Sequence, residues 1–198
     1  GQAVKEYLRL AGEFLEMGAK DFLFETLADV QDVLPAVRLI KERVPESTVA
    51  ISFAVSQDGY TGLGLSYRRL IPLAAEGGAD LVGLNCVCGP VHMLQLLKKL
   101  NPAQCPYPLL AMPNAGYPAL ENGRLEYRDN PEYFAGKLAE IAAIGVNALG
   151  GCCGTTPEHL REAVLRIGIG PAGFAVPAVP EAPADDRDTA SERAGDAA

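Results

Sequence analysis

The sequence predicts an α/β fold built from parallel strands, and three observations carry that prediction. Short apolar runs recur at Phe22-Leu23-Phe24, Thr48 to Val55, Leu81 to Leu84, Leu109 to Met112 and Val146 to Leu149. Between them lie longer segments with apolar residues at helical spacing, so strand-like and helix-like stretches alternate. The short runs are apolar throughout rather than alternating with polar residues, as strands covered on both faces require. Two architectures meet these conditions, an open doubly wound sheet and a (β/α)8 barrel.

Taken in order, Val4 to Met17 is predicted as a helix. Val4, Leu8, Ala11 and Leu15 share one face, and Gly18 is a stop signal. The first strand, Phe22 to Phe24, runs into Glu25-Thr26. Asp29 to Val44 repeats apolar residues at helical spacing, but Pro35 demands a kink or a later start. Thr48 to Val55 is β-branched and apolar, a buried strand. In the glycine-rich loop that follows, Gly62-Leu63-Gly64 lacks the Lys-Ser/Thr or third glycine of a phosphate loop and reads as a flexible turn. Ser66 to Glu76 is helical and ends at Gly77-Gly78. Leu81 to Leu84 is a strand that delivers Asn85-Cys86, and Val91 to Leu100 is a helix.

Leu109 to Met112 is a strand leading to Pro113-Asn114-Ala115-Gly116, followed by a polar loop with a small hairpin around Asn122-Gly123. Tyr133 to Ile144 is a helix stopped by Gly145, and Val146 to Leu149 is the last strand. It opens onto Gly150-Gly151-Cys152-Cys153-Gly154-Thr155-Thr156. The helix after it, Pro157 to Ile167, has Thr156 as N-cap and a proline at its first position. From Pro171 onward the composition turns to Pro, Ala, Asp and Glu. The folded domain is therefore expected over residues 1–170, with residues 171–198 a disordered tail or linker.

At 198 residues and 48% hydrophobic, the chain has material for one sizeable core. No run approaches the roughly 18 apolar residues of a membrane span. The formal charge of −8 argues against a nucleic-acid partner, since phosphate neutralisation needs Lys and Arg. From Ala172 onward six acids against Arg187 and Arg193 leave a net −4, so the folded part is only mildly acidic. Five cysteines, an odd number with no charged-then-apolar leader, read as reduced cytoplasmic thiols available for metal or catalysis.

Glu25, Asn85-Cys86, Asn114 and Cys152-Cys153 all fall at the C-terminal ends of predicted strands, where catalytic groups of a barrel collect. Glycines around Cys152-Cys153 let the backbone turn tightly enough for both sulfurs to face one object. Three thiolates from Cys86, Cys152 and Cys153 with an open fourth position suit Zn2+ in a catalytic role. Two other readings remain at this point: small residues packing a tight turn, or a redox pair. Cys88 and Cys105 read as spectators, the first turned aside by helix entry and the second in a proline-rich loop. His92 and His159 fall in first helical turns, where a histidine is more often a cap-region residue than a ligand. Tyr107, Tyr117, Tyr127 and Tyr133 flank the loop after Asn114 and either line a pocket or pack on the surface.

With Gly83-Leu84-Asn85-Cys86 and Gly150-Gly151-Cys152-Cys153-Gly154 together, the chain resembles the homocysteine S-methyltransferase family from about Val4 to Ile167. The resemblance implies a (β/α)8 barrel with one zinc ion at its C-terminal face, and Cys86, Cys152 and Cys153 match the three ligands. It implies that Glu25, in Phe-Glu-Thr, holds the amino group of homocysteine. Asn114, in Pro-Asn-Ala-Gly, matches an asparagine that approaches zinc in the cobalamin-dependent methionine synthase branch, and with Asn85 it joins the substrate-binding candidates. The Gly-Gly-Cys-Cys-Gly-Thr-Thr-Pro form favours that branch, or its fusions with methylenetetrahydrofolate reductase, over betaine-using enzymes. The family's first three strands have no counterpart here, and a complete barrel takes about 250 residues. The expectation is therefore a partial barrel, its strands corresponding to the fourth through eighth. Such a chain, alone, is expected to be aggregation-prone or associated with other copies and to show little or no methyl transfer.

The implied chemistry is zinc-dependent methyl transfer to the thiol of homocysteine, forming methionine. Methylcobalamin on another domain or protein is the expected donor, with a corrinoid, folate or reductase domain as partner. S-methylmethionine or another small donor is the alternative. Two readings from other classes stand beside it: a non-catalytic zinc-binding remnant or scaffold, and a thiol oxidoreductase. The latter is disfavoured because adjacent cysteines close a strained ring.

Overall fold

The computed structural model describes residues 1–121, 123–127 and 130–168. Five strands form one parallel sheet: β1 (Asp21–Leu27), β2 (Thr48–Phe53), β3 (Leu81–Asn85), β4 (Leu109–Met112) and, after a separate hairpin, β7 (Ala148–Leu149). The hairpin pairs β5 (Ala119–Glu121) with β6 (Arg124–Glu126) antiparallel, around Gly123. The helices are α1 (Gln2–Glu16), α2 (Leu34–Arg43), α3 (Tyr67–Glu76), α4 (Pro90–Lys98), α5 (Pro131–Ala143) and α6 (Pro157–Ile167). The disordered tail expected over 171–198 lies outside the described residues.

Strand order settles which of the two architectures is present. The sheet runs β1-β2-β3-β4-β7, so each new strand adds to the same growing edge. A doubly wound sheet reverses at a switch point; a barrel wall does not. This is the wall of a (β/α) barrel, in agreement with the fold expected from the sequence. The core lies between sheet and helices, with Ile40, Ile51, Phe53, Leu84, Leu97, Leu109, Phe134 and Leu138 fully buried. Both faces of the central strands are covered, which is why β2 and β3 read as mainly apolar runs. Gly83 is required where β3 pairs with β4: a Cβ there would stand 1.8 Å from the Leu110 carbonyl oxygen.

Three details differ from the sequence reading. The helix expected from Asp29 begins at Leu34, with Pro35 in its first turn, because proline is tolerated where no helical N–H bond is needed. Val30 and Val33 are buried all the same, from the turn that precedes the helix. The first strand runs on through Glu25 and Thr26 to Leu27, with a register shift between Phe24 and Leu27 against β2. The last strand shrinks to two residues, paired with Leu110 and Ala111 of β4.

At the opposite end of the sheet from the cysteines, Lys41 Nζ donates to Asp80 Oδ2 at 2.5 Å and to the Ser47 carbonyl at 2.6 Å. Asp80 Oδ2 also accepts from the Val49 amide at 2.7 Å, tying α2 and the start of β3 to β2. Partial burial pushes the Asp80 carboxyl up, but the Lys41 ammonium and the Val49 N–H outweigh it and hold the group below its ordinary value. Among the described residues, no helix is long and apolar enough to cross a membrane.

Candidate metal and substrate site

The parallel sheet aligns the C-terminal ends of its strands, and the chemistry-bearing residues collect there. β3 ends at Asn85 and the next residue is Cys86; β4 is followed by Pro113-Asn114; β7 is followed by Gly150-Gly151-Cys152-Cys153. Backbone bonds stitch these segments together. The Cys86 N–H reaches the Met112 carbonyl at 3.1 Å, that of Cys152 reaches Pro113 at 2.9 Å, and that of Ala115 reaches Cys153 at 2.9 Å. Asn114, almost fully buried, accepts the Cys153 N–H on Oδ1 at 3.1 Å.

This turn has no room for ordinary side chains. A Cβ on Gly151 would fall 2.3 Å from Thr155 Cγ2, and one on Gly154 would fall 2.3 Å from the Tyr127 ring. Gly154 also has φ +76°, a left-handed conformation that favours glycine. The strain extends to residues with side chains: Thr26, Cys86 and Val87 have φ of 61°, 59° and 60°. Positive φ at a β-branched residue is a genuine outlier, and such outliers gather at functional sites.

The outcome is a triangle of sulfurs. Cys86, Cys152 and Cys153 lie with their Sγ atoms within 4.8 Å of one another, and Cys86 and Cys153 are 3.6 Å apart. A disulfide needs about 2.05 Å between sulfurs, and all five cysteines are free. A tetrahedral centre with metal–sulfur bonds of ~2.3 Å places its sulfurs ~3.8 Å apart, close to the spacing found. The donor set therefore fits a zinc ion with one position left over. Burial raises the Cys152 thiol first, and the neighbouring Cys86 adds to it, so that Cys152 is pushed up to about 12. Three sulfurs this close repel one another as thiolates, and a cation among them removes that cost.

Glu25 stands beside this triangle. Asn85 Nδ2 donates to Glu25 Oε2 at 3.3 Å and to Cys152 Sγ at 3.8 Å, so one buried amide touches both. Thus the six residues singled out in the sequence (Glu25, Asn85, Cys86, Asn114, Cys152 and Cys153) come together at one end of the sheet. Two others belong with them and were not singled out: Thr26 and Ser52, both bonded to Asn85. The available signal for Ser52 was a hydroxyl inside an otherwise apolar strand. Tyr127 is drawn in from the hairpin. Burial raises its phenol, and the adjoining Cys153 raises it further.

The remaining candidates lie elsewhere. Cys88 is buried and its Sγ bonds to the Val55 carbonyl at 3.2 Å; Cys105 is not part of the triangle. His159 is the N3 residue of a capping box with Thr156, its Nδ1 accepting the Thr156 N–H at 3.2 Å. His92 Nδ1 lies 2.8 Å from the Tyr117 hydroxyl, which also accepts from Gln57 Nε2 at 2.9 Å. Tyr117 helps to line a cavity of about 370 Å³ with Ser56, Gln57, Asp58 and Val87.

The chain is similar to known proteins over most of its length. The chain is 34% identical over 166 residues to methionine synthase from Mycobacterium leprae (strain TN), covering 81% of this chain and 14% of that protein. Methionine synthase from Mycobacterium tuberculosis (strain ATCC 25618 / H37Rv) matches with the same identity and coverage. The chain thus spans about one seventh of the length of the curated relatives it matches. Among solved structures, the apo form of the homocysteine methyltransferase MmuM from Escherichia coli superposes with a TM-score of 0.61 at 22% identity. That match covers 82% of this chain and 57% of MmuM. Its oxidized form gives a TM-score of 0.62, again at 22% identity, over 82% of this chain and 52% of that one. These two establish likeness of fold. Residues 2–166 match the homocysteine S-methyltransferase family, and the chain belongs to it.

Proposed function

We propose that this chain carries the zinc and homocysteine site of a methyltransferase that converts homocysteine to methionine. The observation that supports it best is the sulfur triangle joined to a carboxylate: Cys86, Cys152 and Cys153 within 4.8 Å, with Glu25 linked to Cys152 through Asn85. The kinship with proteins called methionine synthase supports methionine as the product. The three cysteines would hold the zinc, which when bound supplies a Lewis acid that makes a thiol nucleophilic at neutral pH. A free thiol titrates near 8.5, so without such help little thiolate is present.

The chain's own residues do the rest. Glu25 presents a carboxylate to the substrate ammonium. Asn114 fixes the Cys153 backbone, and the glycine-lined turn keeps Cys152 and Cys153 on one side of the strand ends. A sulfur lone pair of homocysteine forms the new S–CH3 bond as the bond from methyl to donor breaks; the thiol proton leaves to solvent. The donor we infer is a methylcorrinoid, methylcobalamin, carried on another domain or protein, with a folate or reductase domain as further company.

The test is uptake of zinc and of homocysteine by the chain, followed by methionine formation from methylcobalamin in the protein that contains it. One zinc per chain is expected, with homocysteine bound far more tightly than homoserine, its oxygen analogue, because the open zinc position favours sulfur. Equal affinity for the two would contradict the reading.

A further inference from the structure

Asn85 ends β3 with no exposed surface at all, a polar residue closing an otherwise apolar strand. A buried amide must spend its hydrogen-bonding capacity on partners. Here the accounting is complete. Oδ1 accepts from the Thr26 amide at 2.8 Å and from Ser52 Oγ at 2.9 Å. Nδ2 has two hydrogens and faces three acceptors: Thr26 Oγ1 at 2.8 Å, Glu25 Oε2 at 3.3 Å and Cys152 Sγ at 3.8 Å. The short bond to Thr26 takes one hydrogen, and the carboxylate and the sulfur share the other. No donor is left over for a ligand.

The same amide grips Thr26 at both its N–H and its hydroxyl, and Thr26 is the residue held at φ 61° where β1 slips register against β2. That clamp fixes the backbone next to Glu25. Ser52, on β2, holds the amide oxygen from beneath. A fully paired group of this kind specifies one arrangement of everything it touches.

We propose that Asn85 is a positioning residue that sets the separation between the carboxylate for the substrate's ammonium and the sulfur that anchors the metal for its thiol. It thereby acts as a ruler for the number of methylenes between amine and thiol. This rests on the function proposed above. The rule it enforces is homocysteine over cysteine, which is shorter by one methylene. Asn85 acts through Glu25 and Cys152 and does not itself touch the substrate.

The experiment compares the dissociation constants of homocysteine and cysteine at saturating zinc, in the wild-type chain and in Asn85→Ala, Ser52→Ala and Thr26→Val. A pocket that discriminates one methylene does so by about 10–200-fold, and the wild-type ratio should fall in that range. In Asn85→Ala the ratio should drop toward one, with zinc affinity also falling by about 10–100-fold, as for other supports of metal ligands. Asn85→Ala leaves the buried Ser52 hydroxyl and the Thr26 N–H without their shared acceptor. Should it fail to fold, the two milder variants decide, each expected to lower the ratio in the same direction. Equal weakening of both ligands would show a merely structural role and overturn the proposal, as would an unchanged ratio in every folded variant. A wild-type chain that binds neither zinc nor homocysteine would instead overturn the functional reading beneath it. The two failures are distinguishable.

Discussion

Replacing Glu25 with Gln isolates the charge that the site offers to a substrate amine. Gln keeps an oxygen for the Asn85 N–H, now 3.3 Å from Oε2, so the internal network survives and only the negative charge is lost. A hydrogen bond to a charged group is worth about 1.5–3 kcal/mol and a neutral one about 0.5–1.5. Glu25 is exposed, so the lower part of the charged range applies. The difference is then about 0.5–1 kcal/mol, a rise in the dissociation constant of roughly two- to fivefold. Zinc affinity should change little, because Glu25 is not among the three clustered sulfurs. The assay is titration of homocysteine into zinc-loaded chain, repeated with 4-mercaptobutyrate, which has the thiol and lacks the amine. Homocysteine should weaken and the amine-free thiol should not. Unaltered homocysteine affinity, or equal losses for both thiols, would refute the role of Glu25.

Other expected outcomes follow from the same geometry. Cys152→Ala should abolish tight zinc binding, whereas Cys105→Ala should retain it. Cys88→Ala should also retain zinc while losing about 1 kcal/mol of stability with its buried bond to the Val55 carbonyl; zinc analysis and urea denaturation check all three. Gly83→Ala forces a methyl group onto the Leu110 carbonyl and should destabilise the sheet by about 3 kcal/mol or more, read from the denaturation midpoint. The Asp80 carboxyl is held below its ordinary value, so its contribution is present above the unfolded value of about 3.9 and fades as pH falls through the lower folded one. Asp80→Asn should therefore flatten the acid limb of stability against pH, and an unchanged limb would contradict it. Zinc uptake should release protons, because the sulfurs bind metal as thiolates, measured calorimetrically in buffers of different ionisation enthalpy. With Cys152 pushed up to about 12, apparent zinc affinity should rise with pH across the neutral range.

Much of the fold was legible because its elements obey local rules. α6 runs from Pro157 to Ile167 as read, since Thr156, Pro157 and Gly168 mark both ends chemically. The central strands were legible as apolar runs because both their faces are covered. Less legible were features set by tertiary contact. The late start of α2 depends on Pro35 occupying a first turn, and the brevity of β7 on how far β4 can pair with it. The slip in β1 at Glu25-Thr26 coincides with bonds to Asn85, distant in sequence, which no local pattern signals. The same holds for the site. Cysteine spacing and strand ends pointed to the sulfur triangle, while the roles of Thr26 and Ser52 emerge only once β1, β2 and β3 lie side by side.

Zinc K-edge X-ray absorption of the zinc-loaded chain, before and after homocysteine is added, tests the central claim most directly. The account predicts three sulfur neighbours in the free protein, supplied by Cys86, Cys152 and Cys153, and a fourth when homocysteine binds. A zinc shell without three sulfurs, or one that does not change on adding homocysteine, would contradict it.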